Sequence, residues 1–361
     1  MTAIDEGYQG EEAAAGIGGA APDGLHNASL YAALALTLFS LPVCAADLGG
    51  LNNDYTPPQF PAKPKPRVAE RIVDKTARAE APSAPMPASD PAAACWKIDT
   101  WEAACGFAAY PGGPIFRVVG GNLNFTQGSP SAETGGFDNE RPQHAVRFQQ
   151  RFALAETEIT VAHYLTCVKE GGCGEPVWHD VNYGSSHYRD RNAHQPTSPI
   201  TGVSWTDAKA YVAWLSRKTG QTYTLPTEAQ WEYAARGGHA GRWYFGDDEG
   251  RLKDRVWYGA NSDSKLHPVG STLFNTHPWG LKDMGGNAWE WVEDCEHSYT
   301  YALTNGDKAW EGSEGKSCRR RVLRGGSAND EARFTRAAYR SSFDSEYRIT
   351  FFSFRPARVL P

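Results

Sequence analysis

Leu225-Pro-Thr-Glu-Ala-Gln-Trp-Glu-Tyr-Ala-Ala-Arg-Gly-Gly238 reads as a short helix fenced at both ends. Thr227 and Gln230 have the spacing of a capping box, and the Gly237-Gly238 pair stops the helix. Upstream, a second helix starts near Thr206 with Ala208, Tyr211, Val212 and Leu215 on one face, Arg217 and Lys218 in its last turn and Gly220 as its stop. Further upstream, Thr160 caps a helix whose Val161, Tyr164, Leu165 and Val168 share one face and which ends at Gly171-Gly172. Between Gly112 and Phe148, short apolar runs alternate with turn residues, as in strands joined by glycine-rich loops. Beyond residue 240 no helical period is sustained; loops rich in Gly, Asn, Asp and Trp separate brief apolar pieces such as Phe351-Phe-Ser-Phe. The pattern predicts an α+β domain with few, short elements and long loops of the kind that bind a ligand or are pinned by a metal.

Six further phrases flank the first: Glu158-Ile-Thr-Val-Ala-His-Tyr, Pro199-Ile-Thr-Gly-Val-Ser-Trp-Thr-Asp-Ala, Pro268-Val-Gly-Ser, Gly280-Leu-Lys-Asp-Met-Gly-Gly-Asn-Ala-Trp-Glu-Trp-Val, Arg324-Gly-Gly-Ser and Phe354-Arg. Taken in order, the seven resemble the formylglycine-generating enzyme family, also called sulfatase-modifying-factor domains, from about Gly112 to Leu360. The resemblance implies a loop-rich fold related to C-type lectins. It does not by itself imply an activity, because the scaffold serves copper oxidases, iron sulfoxide synthases, periplasmic maturation factors and binding modules.

In the oxidases of this family two cysteines just after the Gly-Gly-Ser phrase bind Cu(I), a soft-ligand site. Here Ser327-Ala-Asn-Asp-Glu-Ala-Arg-Phe-Thr-Arg-Ala-Ala-Tyr-Arg340 contains no cysteine, so no catalytic residue is assigned and copper is not expected. The His-x-x-x-His pattern of the iron branch is also absent. His179, His187 and His194 form a loose loop cluster, read as ordinary surface histidines sooner than a metal site. The resemblance implies structural calcium at Asp283-Met-Gly-Gly-Asn-Ala-Trp-Glu290, with the Asp283 side chain and the Met284, Gly286 and Ala288 carbonyls as ligands. The plain alternative is a tight glycine turn in which Asp283 caps backbone N–H groups. A second family calcium site would start near Asn261, but its later ligands have no match.

Ser327, Asn329, Asp330, Arg333, Arg336 and Arg340 lie where the oxidase has its active site and are the candidate ligand-binding residues. From Arg319 to Arg358 the chain holds ten arginines and four acids; the competing reading is that these arginines brace buried acids such as Glu232, Glu290 and Asp294. The expected function is recognition or maturation of a peptide, protein or small ligand. An oxidoreductase acting on a protein cysteine through another centre, and a diversified lectin-like binder suggested by the Arg324-to-Arg358 end, are the alternatives.

Composition sets the outer limits. Tyr55–Ala94 carries nine of the 23 prolines, while aromatic residues crowd beyond about residue 95. This predicts a leader over 1–46, a Pro/Ala-rich tether over 47–94 and one domain over 95–361. A net charge of −6 gives no reason to expect nucleic acid or an anionic membrane as partner. Leu30–Val43 has the length of a signal-peptide apolar region, although no Lys or Arg precedes Lys63; export to the periplasm or medium is the reading, with a membrane touched only through an anchor at Cys44. The other six cysteines fall by proximity into Cys95 with Cys105, Cys167 with Cys173 and Cys295 with Cys318, an even count that suits an oxidising compartment.

Overall fold

The protein is described here from a computed structural model, which describes residues 105–120, 123–176, 194–312 and 318–360 together with Asp90, Ala92 and Cys95. Eleven strands and three α-helices of the described residues alternate with loops.

The helices form where local chemistry demands. α1 (Val161–Lys169) is capped by the Thr160 side chain, which accepts from the His163 N–H. It buries Val161, Tyr164 and Cys167, while Leu165, expected on the inner face, is 39% exposed; the Cys167–Cys173 disulfide sits on the buried side instead. α2 (Trp205–Thr219) opens one residue earlier than expected, on a capping box between Ser204 and Asp207, and ends on left-handed Gly220. α3 (Glu228–Arg236) has the capping box of Thr227 and Gln230, and all nine of its residues are buried. It is therefore a helix through the interior whose polar residues find partners inside the protein.

β1 (Gly106–Ala108), β2 (Ile115–Val118), β5 (Phe152–Ala155), β6 (Tyr223–Thr224) and β11 (Ala357–Val359) make a five-stranded antiparallel sheet in the order β1-β2-β5-β11-β6. β7 (Trp289–Cys295), β8 (Arg320–Arg324), β9 (Arg340–Asp344) and β10 (Phe352–Phe354) make a second sheet in the order β10-β7-β8-β9, with β10 parallel to β7. β3 (Asn124–Gln127) and β4 (His144–Arg147) pair as a two-stranded ribbon. One core joins α1 and α2 to the five-stranded sheet and includes Phe116, Tyr211, Leu215 and Phe354; another surrounds Trp231 and Tyr233 of α3 and takes in Phe148, Leu154 and Val292.

The folded part reaches further towards the N-terminus than the composition suggests. Ala92 is fully buried in the core and Asp90 pairs with Arg358 of β11, so both belong with the domain, although the expected boundary assigns them to the tether. Three disulfides link Cys95 to Cys105, Cys167 to Cys173 and Cys295 to Cys318, with Cα separations of 5.7, 5.3 and 5.4 Å.

Candidate functional site

The Gly325-Gly326-Ser327 turn leaves β8 with both glycines at positive φ, 96° and 70°. A Cβ on Gly326 would lie 2.7 Å from the Phe334 carbonyl, so only glycine lets the segment fold back on itself. Asp330 closes that loop: its Oδ2 accepts from the Ser327 N–H at 2.9 Å and from the Ser327 hydroxyl at 2.5 Å. Burial raises the Asp330 carboxyl above the ordinary range, although donors from Ser327 and the Trp289 side chain oppose it. Asn329 and Arg333 are exposed. Beside them lie the half-buried rings of Phe137, Phe334 and Tyr339, with centroids 4.9 to 6.0 Å apart, and Arg333 covers Phe334 at 4.7 Å. Trp289 touches Tyr339 at 5.7 Å. The arrangement is an aromatic floor rimmed by an amide, a carboxylate and a guanidinium, which suits a ligand with both polar and planar groups.

Three of the six candidate ligand-binding residues are buried and engaged inside the protein. Ser327 is buried and spent on Asp330. Arg336 is fully buried and holds Glu140 at 2.6 and 2.9 Å and Glu133 at 2.5 Å. Arg340 is buried against Glu228, with two contacts of 2.6 and 2.7 Å. Both arginines brace the interior, as do Arg324 on Glu232 at 2.6 Å and Arg355 on Glu290 at 2.7 Å. Asp294 differs from the expected pattern: its carboxylate accepts the Glu228 and Trp310 backbone N–H groups instead of an arginine. From sequence Trp289 reads as core sooner than as a ligand platform, and Phe137 and Tyr339 carry no signal; aromatic residues flanking a glycine turn look the same in either role.

The loop expected to hold calcium has features that both of its readings require. Asp283 is buried and left-handed at φ 52°, and its Oδ2 accepts the Gly270 N–H at 2.5 Å. Gly286 has φ 76°, and a Cβ there would lie 2.1 Å from the Trp257 carbonyl. Ala288 and Met284 are buried. The informative neighbour is Glu158, 1% exposed, with neither carboxylate oxygen hydrogen-bonded. Burial pushes Glu158 well up, and the charges of Asp283 and Glu290 push it further; burial likewise brings Asp283 up to about 6. Glu290 is matched by Arg355; Glu158 and Asp283 are in no ion pair among the described residues, although the charge of Arg355 acts on both and that of Lys282 on Asp283. Carboxylate oxygens of this kind are the chemistry a hard divalent ion takes. Asn261, where a second calcium site would start, spends its side chain on the Tyr258 N–H and the Lys253 and Val256 carbonyls. His179 and His187 lie outside the described residues.

Glu228, Asp294 and His297 also bring ligand atoms within 4.8 Å of one another. Every carboxylate oxygen there is already engaged, on Arg340 or on backbone N–H groups. Burial would raise Glu228, but Arg340 and Arg324 bring it down to about 2.

Comparison with known proteins places these observations. A solved structure titled "Structure of PvdO from Pseudomonas aeruginosa" aligns with a TM-score of 0.63 and 32% identity over 72% of this chain and 99% of that one. The formylglycine-generating enzyme of Streptomyces coelicolor is 33% identical over 258 residues, 58% of this chain and 77% of that protein. A mouse protein named inactive C-alpha-formylglycine-generating enzyme 2 is 35% identical over 155 residues, 38% of this chain and 42% of that protein. The family model described as "Sulfatase-modifying factor enzyme 1-like domain" matches residues 111–360, and the chain belongs to that family.

Proposed function

We propose that this domain is an exported recognition or maturation module that holds a peptide or small ligand on the surface formed by Asn329, Asp330 and Arg333 over Phe334 and Tyr339, and that calcium at the Asp283 loop stabilises it. The carrying observation is the content of the segment after Gly-Gly-Ser: it presents a carboxylate, an amide and a guanidinium beside aromatic rings, and no thiol. All six cysteines of the domain are spent in disulfides, so none is available as a thiolate ligand for Cu(I). A relative named as inactive is in keeping with a family scaffold used without the oxidase chemistry. The calcium part rests on Glu158 and Asp283, whose buried charges call for a cation, with the Met284, Gly286 and Ala288 carbonyls completing the set as the family resemblance implies.

The test uses the oxidised full chain with Cu(I), oxygen and a Cys-x-Pro-x-Arg peptide, followed by mass spectrometry. The expected result is an unchanged peptide cysteine. Conversion to formylglycine would show an oxidase working without the usual thiolates and would overturn the proposal.

A further inference from the structure

We propose that the outer edge of β3 is a docking edge for an extended, acidic peptide segment of a partner protein, which adds to the β3–β4 ribbon as a further strand. This surface is distinct from the Asn329–Arg333 surface.

The argument begins with the direction of main-chain groups. The Arg147 N–H donates to the Thr304 carbonyl at 2.8 Å, and the Arg147 carbonyl accepts from the Gly306 N–H at 2.9 Å. The Arg147 main chain therefore faces away from β3. In an antiparallel ladder directly opposed residues share this orientation, and it alternates along the strand. Arg147 opposes Asn124 and Ala145 opposes Thr126, so Thr126 turns its N–H and C=O away from β4. Among the described strands β3 pairs with β4 alone, and the Thr126 main-chain groups have no partner among the described residues. Outward main-chain groups such as those of Thr126 are a ready template for another chain.

Two grooves flank that edge. One of ≈ 360 Å³ runs between β3 and the Gly238-His239-Ala240 turn, with Phe125 and Tyr233 in its wall. The other, of ≈ 560 Å³, lies over the solvent face of the ribbon, on Asn124, Thr126, Ala145 and Arg147, and runs on past β4 to Thr304 and Asn305. Side chains of an added strand point alternately to the two faces, so one set enters the first groove and the other set enters the second. No carboxylate lines either groove, whereas Arg147, Arg236 and His239 do. Arg236 is neutralised by Glu232 at 2.8 Å; Arg147, exposed and in no ion pair among the described residues, is the charge left to meet. In a chain of net charge −6 this local reversal selects acidic side chains on the face of the incoming strand above Arg147.

The experiment is fluorescence anisotropy on the full chain with a labelled heptapeptide of alternating valine and glutamate. Saturable binding is expected, weakened at least tenfold by Thr126→Pro, which removes the outward N–H at an edge position that tolerates proline. Arg147→Glu should invert the preference in favour of the same peptide with lysine for glutamate. Should Thr126→Pro fail to fold, the wild-type chain decides the matter with a peptide N-methylated at alternate residues, expected to bind at least tenfold more weakly. Absence of binding, equal affinity for the N-methylated peptide, or a dimer by light scattering with the edge taken up by a second copy would each overturn the proposal. Because the probe has no cysteine and the variants lie outside the Asn329–Arg333 surface, this result and the formylglycine assay can fail independently.

Discussion

Glu158 and Asp283 are two buried acids that burial pushes up, as it does Asp294, brought up to about 7. An acid whose folded pKa is raised holds a proton that the unfolded chain gives up, so it lowers stability as pH rises from the unfolded range, near ~4, through the folded value. For Asp283 that window closes at about 6, and Glu158 shifts in the same direction. In EDTA the melting temperature should therefore fall between pH 5 and pH 7.5. With calcium the fall should flatten or reverse, since the ion binds the two carboxylates in their charged form. Glu158→Gln should remove much of the EDTA slope and weaken the calcium effect. Equal melting temperatures with EDTA and calcium at both pH values would sink the calcium assignment. Asp283 could be found in the sequence because its loop is a contiguous phrase with two glycines. Glu158 could not, because its significance comes from a strand and a loop more than a hundred residues away in the chain.

At the scale of elements, local signals were readable and distant pairings were not. All three helices begin and end close to where caps and glycines place them, since a cap is a contact between residues three apart. The exception, Leu165, shows the limit of periodicity on a nine-residue helix, where one staple is enough to choose which residues face inward. The strands are two to seven residues long, too short for alternation to declare an order, and the parallel pairing of β10 with β7 has no local signature. The arginine-rich end was read two ways, and burial separates them: Arg336 and Arg340 are internal, while Arg333 remains at the surface. The best marked element also supports a prediction. The Thr227 hydroxyl accepts from the Gln230 N–H at 3.0 Å and donates to the Gly306 carbonyl at 2.6 Å. Thr227→Ala removes the cap and strands a buried carbonyl, and should cost about 2–3 kcal/mol in urea unfolding; a cost below about 0.5 kcal/mol would mean that the cap contributes little to holding α3.

For the whole molecule, the disulfides are the feature most open to direct measurement. Alkylation of the denatured, unreduced chain should label no cysteine beyond Cys44, and prior reduction should expose the six others. Peptide mapping that finds Cys95, Cys167 or Cys295 labelled before reduction would contradict the fold as described. Each bridge closes a short stretch of chain, with separations of 10, 6 and 23 residues, so together they restrict the unfolded chain locally and leave the long-range order to packing and to the buried arginine–glutamate pairs.

That long-range order has a consequence for synthesis. β11, residues Ala357–Val359, lies between β5 and the edge strand β6 of the five-stranded sheet, and the Leu360 N–H donates to the Arg151 carbonyl at 2.8 Å. The strand that joins β5 to β6 is thus made after every other described strand of the domain. No other described strand takes that place, and a nascent chain arrested before β11 leaves β5 and β6 without the strand that joins them. The five-stranded sheet therefore closes from its last strand, after the rest of the described domain has been made.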